Sequence, residues 1–175
     1  MGKPGRKAVQ LILPGLIRDY HIDFVVANGE NAAAGFGLTY DTAMELFDAG
    51  VDVITSGNHI WDQRDIIPHL DSDLPILRPL NYPPTVPGVG FIEKGGVLVI
   101  SLIGRTFVGS FDCPFRAMDS LLDSFGNKHK IILVDFHAEA TSEKVAMGWY
   151  LDGRISAVVG THTHVGTVDT SLLLN

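Results

Sequence analysis

Apolar residues in this chain fall into short β-branched runs and into stretches where they recur every three or four positions. Residues 6–20 carry Val9, Leu11, Ile12, Leu16 and Ile17 at helical spacing, and Pro14 is expected to kink or shorten that helix. Ile22 to Ala27 reads as a buried strand, and Asn28 to Gly37 as a loop rich in glycine and alanine. A helix capped by Thr39 or Asp41 is expected through Ala49, with Gly50 as its stop. Val51 to Thr55 reads as a strand, and Asp62 as the cap of a short helix ending near His69. Leu74 to Leu80 should be extended around Pro75 and Pro79, and residues 81–90 should form a loop. Phe91 to Glu93 and Val97 to Ile103, joined by Lys94-Gly95-Gly96, predict a hairpin. Pro114 suits the first turn of a helix to about Phe125. A strand Lys130 to Val134, a helix Ser142 to Tyr150 capped by Thr141 or Ser142, and a strand Ile155 to Val159 complete the pattern. Strands alternating with helices, plus one hairpin, predict a layered α/β domain with a mixed sheet. At 175 residues the chain is expected to be one domain.

The strands share one layout. Phe24 to Ala27 leads into Asn28-Gly29-Glu30-Asn31, and Val51 to Thr55 into Ser56-Gly57-Asn58-His59. Ile131 to Val134 leads into Asp135-Phe136-His137, and Ile155 to Val159 into Gly160-Thr161-His162-Thr163-His164. Each run should deliver metal-competent side chains at a strand's C-terminal end, where parallel sheets place their sites. Glu30, Asn31, Asn58, His59, His137, His162 and His164 combine carboxylate, amide oxygen and imidazole. Such a set suits Fe, Mn, Zn or Co better than Ca or Mg. His162 and His164, two apart in a strand, should share a face. Glu30 has two oxygens and can bridge two cations.

Four of seven histidines fall just beyond strand ends, which favours a metal site over four separate structural roles. His21, His69 and His129 read as surface or helix-flanking residues. His59 lies beside Asn58, so the two side chains should diverge, one toward metal and the other toward substrate. In that position His59 can protonate a leaving alkoxide or steady a phosphoryl group. Arg78 and Arg105 each follow an expected strand and can clamp a phosphate, although a surface ion pair serves them equally well. Asp135 and Glu139 can orient the His137 ring, or pair with Lys144 or Arg154. Cys113 reads as a small packed residue.

A net charge of −7 argues against a broad nucleic-acid or anionic-membrane surface, but not against a small phosphorylated ligand held by a metal. With Cys113 as its one cysteine, the sequence provides neither an intrachain disulfide nor a cysteine-rich zinc site, and a reducing, cytoplasmic setting is expected. No apolar run approaches the roughly 18 residues that span a bilayer. Homo-oligomerisation is left open.

In order along the chain, Glu30, Gly57-Asn58-His59, His137 and Gly160-Thr161-His162-Thr163-His164 resemble the pattern of the calcineurin-like metallophosphoesterases. Asn28-Gly29-Glu30-Asn31-Ala32-Ala33, Gly57-Asn58-His59-Ile60-Trp61-Asp62, Asp135 to Lys144 and Val158 to Val165 narrow the resemblance to the YmdB-type branch. The resemblance implies an α/β/β/α sandwich with mixed sheets and two transition metals, iron or manganese first and zinc after them. It implies a phosphodiesterase acting on 2′,3′-cyclic and other cyclic nucleotides by in-line attack of a metal-bound hydroxide. Glu30 would bridge the metals, Asn58, His137 and His162 would complete one site, and His164 would belong to the other. Asn31 would line or join the site, and His59 would act on the phosphate or the leaving oxygen. The family begins with a strand ending in Gly-Asp ahead of the segment resembling Gly2-Lys3-Pro4-Gly5-Arg6, and continues past the position of Asn175. Residues 1–175 are therefore expected to be a partial domain without the first strand and the C-terminal part. A phosphomonoesterase or another metallohydrolase, and an impaired metal-binding or regulatory protein, are the alternatives.

Overall fold

Two sheets hold the strands of the computed structural model, which describes residues 2–126, 128 and 131–174. They belong to two units, Met1–Arg78 with Thr85–Val89 and Pro79–Pro84 with Gly90–Asn175. Parallel and antiparallel pairings both occur among α-helices, as the α/β reading expects.

The first unit contains α1 (Gly2–Tyr20), β1 (Val26–Asn28), α2 (Tyr40–Asp48) and β2 (Val53–Thr55). Helix α1 starts four residues earlier than the periodicity suggests and continues through Pro14. Packing of Val9 and Leu13 on the core, on the turns leading into the proline, outweighs the missing backbone bond. Helix α2 has the expected Thr39 cap, reinforced by reciprocal bonds with Thr42.

Strands β1 and β2 pair in parallel, with Asn28 opposite Thr55, but both begin later than expected. The Val25 N–H donates to the Asp52 carboxylate at 2.9 Å instead of a ladder carbonyl. The Val51 N–H donates back to Leu46 at the end of α2. A side chain and a helix end thus take the bonds that would have lengthened the strands. Two 3₁₀ segments follow, Asn58–Trp61 and Arg64–His69. Asp62 closes the first and does not cap the second, which is preceded by Gln63. Within the stretch expected to be extended, Leu74 to Leu80, bridges join Ile76 to Ile54 and Leu77 to Val89, while Leu74 lies in a bend and Leu80 in a turn.

In the second unit, β3 (Phe91–Lys94), β4 (Val97–Ile103), β5 (Ile131–His137) and β6 (Ala157–Thr161) form a sheet in that spatial order. The predicted hairpin β3–β4 is antiparallel, and β4, β5 and β6 run parallel. Every residue of β4 is buried, as expected of a central strand in a parallel sheet. Strand β5 runs three residues beyond the expected end at Val134, so His137 lies within the ladder. Strand β6 is shifted two residues toward the C-terminus, and Gly160 and Thr161 belong to it. Lys130, the expected start of β5, and His129 lie outside the described residues. Helix α3 (Pro114–Phe125) starts at the expected proline, and α4 (Thr141–Tyr150) follows Ala140 without a side-chain cap. Met118 and Met147 on these helices pack with Leu98, Ile100, Val134 and Phe136.

Asn81 ties the end of β4 to the loop before α3. Its Nδ2 donates to the carbonyls of Ile103 and Asp112, each at 2.8 Å, and its Oδ1 accepts from the Ile103 N–H at 2.9 Å. The side chain is buried, so Asn81→Ala strands polar backbone groups and should lower unfolding stability by about 2–3 kcal/mol in urea titration. Two glycines should respond with opposite signs. A Cβ on Gly90 would lie 2.3 Å from the Leu80 Cα, whereas one on Gly148 in α4 meets nothing within 4 Å. Gly90→Ala should destabilise by about 1–3 kcal/mol, and Gly148→Ala should stabilise by about 0.5–1 kcal/mol. Thermal melts of the two variants check the contrast.

Candidate metal centre

In the second unit the site is built on adjacent parallel strands, with Thr161 of β6 directly beside His137 of β5. Asp135 and His137 are two apart on β5 and share a face, while Phe136 between them points into the core. The hydroxyl of Thr161 donates to Asp135 Oδ1 at 2.7 Å. A hydroxyl has one proton, so toward His137 Nδ1, 3.1 Å away, Thr161 accepts. The proton on neutral His137 is therefore at Nδ1, and Nε2 presents a lone pair.

His162 is constrained from its other side. Its Nε2 lies 3.1 Å from Glu139 Oε2, an acceptor, which leaves Nδ1 as the lone-pair nitrogen. His137 Nε2 and His162 Nδ1 face each other at 2.9 Å, with the ring planes at 74°. Two lone pairs so directed repel unless a proton or a metal cation lies between them. Bonds of about 2.0–2.1 Å to one ion put two ligand nitrogens about 3 Å apart, so the spacing fits a shared transition metal.

The arrangement differs from the expected one in two respects. β6 ends at Thr161, so His162 and His164 do not share a strand face. Both take left-handed backbone conformations, with φ of 102° and 52°, and His164 is exposed. Glu139 supports His162 rather than His137, whose orientation comes from Asp135 through Thr161. Thr161 was not among the expected residues. Its signal is the Asp-x-His alternation on β5 beside a strand ending in threonine, visible only once the register is known.

In the first unit, the C-terminal ends of β1 and β2 carry the other candidate groups. Glu30 is 1% exposed, and its Oε1 accepts the backbone N–H of His59 at 2.9 Å. The Gly29 N–H donates to Thr55 at 2.9 Å, and a Cβ on Gly29 would lie 2.6 Å from Ile54 Cγ2. Only glycine permits this approach, which draws the Glu30 turn against β2. Asn31 Nδ2 donates to the Gly35 carbonyl at 2.7 Å, which sets the amide so that Oδ1 is the end directed elsewhere. Helix α1 braces the loop: the Gly2 N–H donates to Asn31 at 2.8 Å, and the Arg6 guanidinium donates to the Ala32 carbonyl while pairing with Glu45.

Asn58 and His59 open the first 3₁₀ segment, both half-buried. His59 Nδ1 meets Asp62 Oδ2 at 2.7 Å, so Nδ1 carries the proton to the carboxylate and Nε2 is left for other chemistry. The Phe36 ring and the imidazole make a T-shaped contact with centroids 5.2 Å apart. Asp62 is a second residue whose role differs from the expected one, since a 3₁₀ turn brings positions three apart together.

Arg105 lies just beyond β4 and lines a cavity of about 380 Å³ with Thr106, Cys113, Pro114, Phe115 and Glu143. The Glu143 carboxylate accepts the backbone N–H groups of Arg105 and Thr106, at 2.9 and 3.2 Å. Arg78 is buried, and burial lowers its guanidinium pKa against a counteracting pull from Asp71. Its burial differs from the surface ion pair that the sequence allowed. Arg154 pairs with Asp119 at 2.9 Å, and Lys144 reaches Thr163 at 3.4 Å, in place of the expected pairings with Asp135 or Glu139. The Tyr150 hydroxyl and then Arg154 hold the Asp119 carboxyl below the usual range. Cys113 is half-buried ahead of α3, as a packed residue. His21 is exposed after α1, and His69 stacks on Tyr40 at 4.5 Å, both in structural surroundings. No helix of the described residues is long and apolar enough to cross a membrane.

Comparison with known proteins supplies the context. A 2′,3′-cyclic-nucleotide 2′-phosphodiesterase from Bacillus subtilis (strain 168) is 46% identical over 177 residues, covering 99% of this chain and 67% of the relative. The crystal structure of a hypothetical protein from Thermus thermophilus has a TM-score of 0.91 at 51% identity, covering 99% of this chain and 68% of that one. A solved structure described as a novel phosphatase, from Mycoplasma pneumoniae, has a TM-score of 0.87 at 32% identity, covering 96% and 63%. The chain thus spans about two thirds of the length of these relatives. The phosphoesterase class expected from its motifs is the class named for the Bacillus and Mycoplasma proteins. A family described as YmdB-like protein matches residues 1–175, and with these relatives beside it the chain belongs to that YmdB-like family.

Proposed function

We propose that the protein is a metal-dependent phosphodiesterase acting on 2′,3′-cyclic nucleotides, with other cyclic nucleotides as secondary substrates. One observation carries the reading: His137 Nε2 and His162 Nδ1 oppose their lone pairs at 2.9 Å, each locked from behind by an acceptor. A cation resolves that arrangement, and the relative from Bacillus subtilis named as such a phosphodiesterase supports the substrate class. The proposed ligands are Glu30, Asn31, Asn58, His137, His162 and His164, with Glu30 as the bridging acid of a two-metal centre. Imidazole with carboxylate and amide oxygen favours iron or manganese, with zinc as a third candidate. The family match runs through both units, and we treat residues 1–175 as part of one metallophosphoesterase domain. The single cysteine leads us to place it in the cytoplasm.

When bound, the metals would polarise the phosphoryl oxygens and lower the pKa of water. The chain's own residues account for the rest. Asp135 and Thr161 fix the His137 tautomer, and Glu139 fixes that of His162, so no reorientation is needed when a ligand arrives. His59, with Nδ1–H held by Asp62, turns Nε2 to the substrate, and in its imidazolium form it donates the Nε2 proton to the leaving ribose oxygen and is left as the neutral Nδ1–H tautomer. Arg105 is proposed to meet the substrate from the rim of the cavity it lines.

The test is metal content together with turnover of 2′,3′-cyclic AMP and of a phosphomonoester. Bound metal with preferential hydrolysis of the cyclic diester is expected. Preference for the monoester would replace the reading with a phosphatase, and metal without turnover would leave a metal-binding protein. His162→Ala should lower both metal content and rate, whereas His59→Ala should lower chiefly the rate; equal metal loss in both would remove the separate role of His59. Thr161→Val, which cannot pass the Asp135 constraint to His137, should weaken metal binding about 10–100-fold by competition with a chelator, and Thr161→Ser should restore most of it.

A further inference from the structure

Phe36 is a large apolar ring that is 59% exposed, and exposure alone would say little about it. Its setting says more. The ring packs against His59 in a T-shaped contact, with centroids 5.2 Å apart and planes at 72°. The loop beneath it is tied at four points. Ala33 N–H bonds Gly37 O at 2.9 Å, and Phe36 N–H bonds Ala33 O at 3.0 Å. Asn31 Nδ2 bonds Gly35 O at 2.7 Å, and Gln63 Nε2 bonds Phe36 O at 2.8 Å.

The backbone is also held in an unfavourable form. Ala34, an alanine, has φ of 53°, and Gly35 and Gly37 are left-handed at 99° and 77°. A Cβ on Gly37 would meet the His59 carbonyl and Gln63 Cγ at 2.9 Å, so the turn closes only with glycine there. Left-handed strain at a non-glycine residue persists where surrounding structure imposes it, and such places cluster at ligand sites. Here the strain and the four bonds fix the backbone that carries one apolar ring, exposed beside the imidazole proposed to act on phosphate.

We infer that Phe36 is a stacking platform for the nucleobase of the substrate. A ring already fixed in position loses little freedom when a planar partner covers it, which is how preorganised aromatics contribute affinity. The platform is a neutral hydrocarbon face and presents no donor or acceptor, so it should accept purines and pyrimidines alike, as stacking sites do. The loop thus adds to the phosphate chemistry a preference for phosphoesters that carry a base. This inference rests on the phosphodiesterase reading for the identity of the ligand.

The experiment is calorimetric titration of the purified chain with adenosine 3′-monophosphate and, as a base-free control, glycerol 2-phosphate. It is repeated on Phe36→Ala, Phe36→Leu and Phe36→Trp, with circular dichroism melts to verify folding. Loss of stacking in Phe36→Ala and Phe36→Leu should weaken the nucleotide about tenfold and leave glycerol 2-phosphate unchanged, while Phe36→Trp retains nucleotide binding. Equal weakening of both ligands would make Phe36 a structural support for His59 and overturn the inference. So would unaltered nucleotide binding in Phe36→Ala, or no nucleotide binding by the unmodified chain. Turnover of 2′,3′-cyclic AMP and of glycerol 1,2-cyclic phosphate by the unmodified chain is measured separately. Nucleotide binding through Phe36 without turnover of any cyclic phosphodiester would reject the phosphodiesterase reading and keep the platform; turnover without a Phe36 effect would do the reverse.

Discussion

One hydroxyl proton governs the second unit's chemistry. Thr161 donates it to Asp135, and that choice propagates: neutral His137 holds its proton at Nδ1 and meets His162 through Nε2. With His162 set by Glu139 in the same sense, two imidazoles meet through their lone pairs. An apolar core could not stabilise that contact. It depends on the parallel register of β5 and β6, which sets Thr161 beside His137, and on the fully buried β4 that supports β5 on its other side. A shift of one residue in either strand would turn these side chains to the opposite face.

The first unit reaches its geometry by close approach. Gly29 brings the Glu30 turn against Ile54, and Glu30 then takes the backbone N–H of His59. A buried carboxylate accepting a backbone donor is held in place before any ligand arrives, which is the condition for electrostatic preorganisation. Bracing from α1, through Gly2 and Arg6, ties the same loop to the body of the unit. Rigid support of this kind lets the following turn carry left-handed residues and an exposed ring. The stability lost to that strain is confined to the loop.

Much of this was legible in the residues. The alternation of apolar runs and helical periodicities located all of the α-helices and strands of the described residues to within a few positions, because burial of one face is a local property of sequence. The motif residues at strand ends, with their glycines, identified the candidate chemistry for the same reason: metal-competent side chains after β-branched runs are rare unless used. What failed was bounded by nonlocal bonds. β1 and β2 shortened because Asp52 and Leu46 captured the N–H groups of Val25 and Val51, and β5 lengthened because its neighbours continued the ladder past Val134.

By itself the sequence determined the α/β class and the order of the elements, and it supplied the side chains proposed to bind metal or move protons. Those follow from periodicity, side-chain size and donor chemistry, all of which are written along the chain. Only tertiary structure decided which partner each group takes. Asp62 faces His59 because a 3₁₀ turn replaced the expected cap, and Glu139 faces His162 because β6 ended one residue before it. The tautomers of His137 and His162 come from polar contacts between groups more than twenty residues apart. Sequence spacing limits such pairings but does not choose among them; register and backbone handedness do.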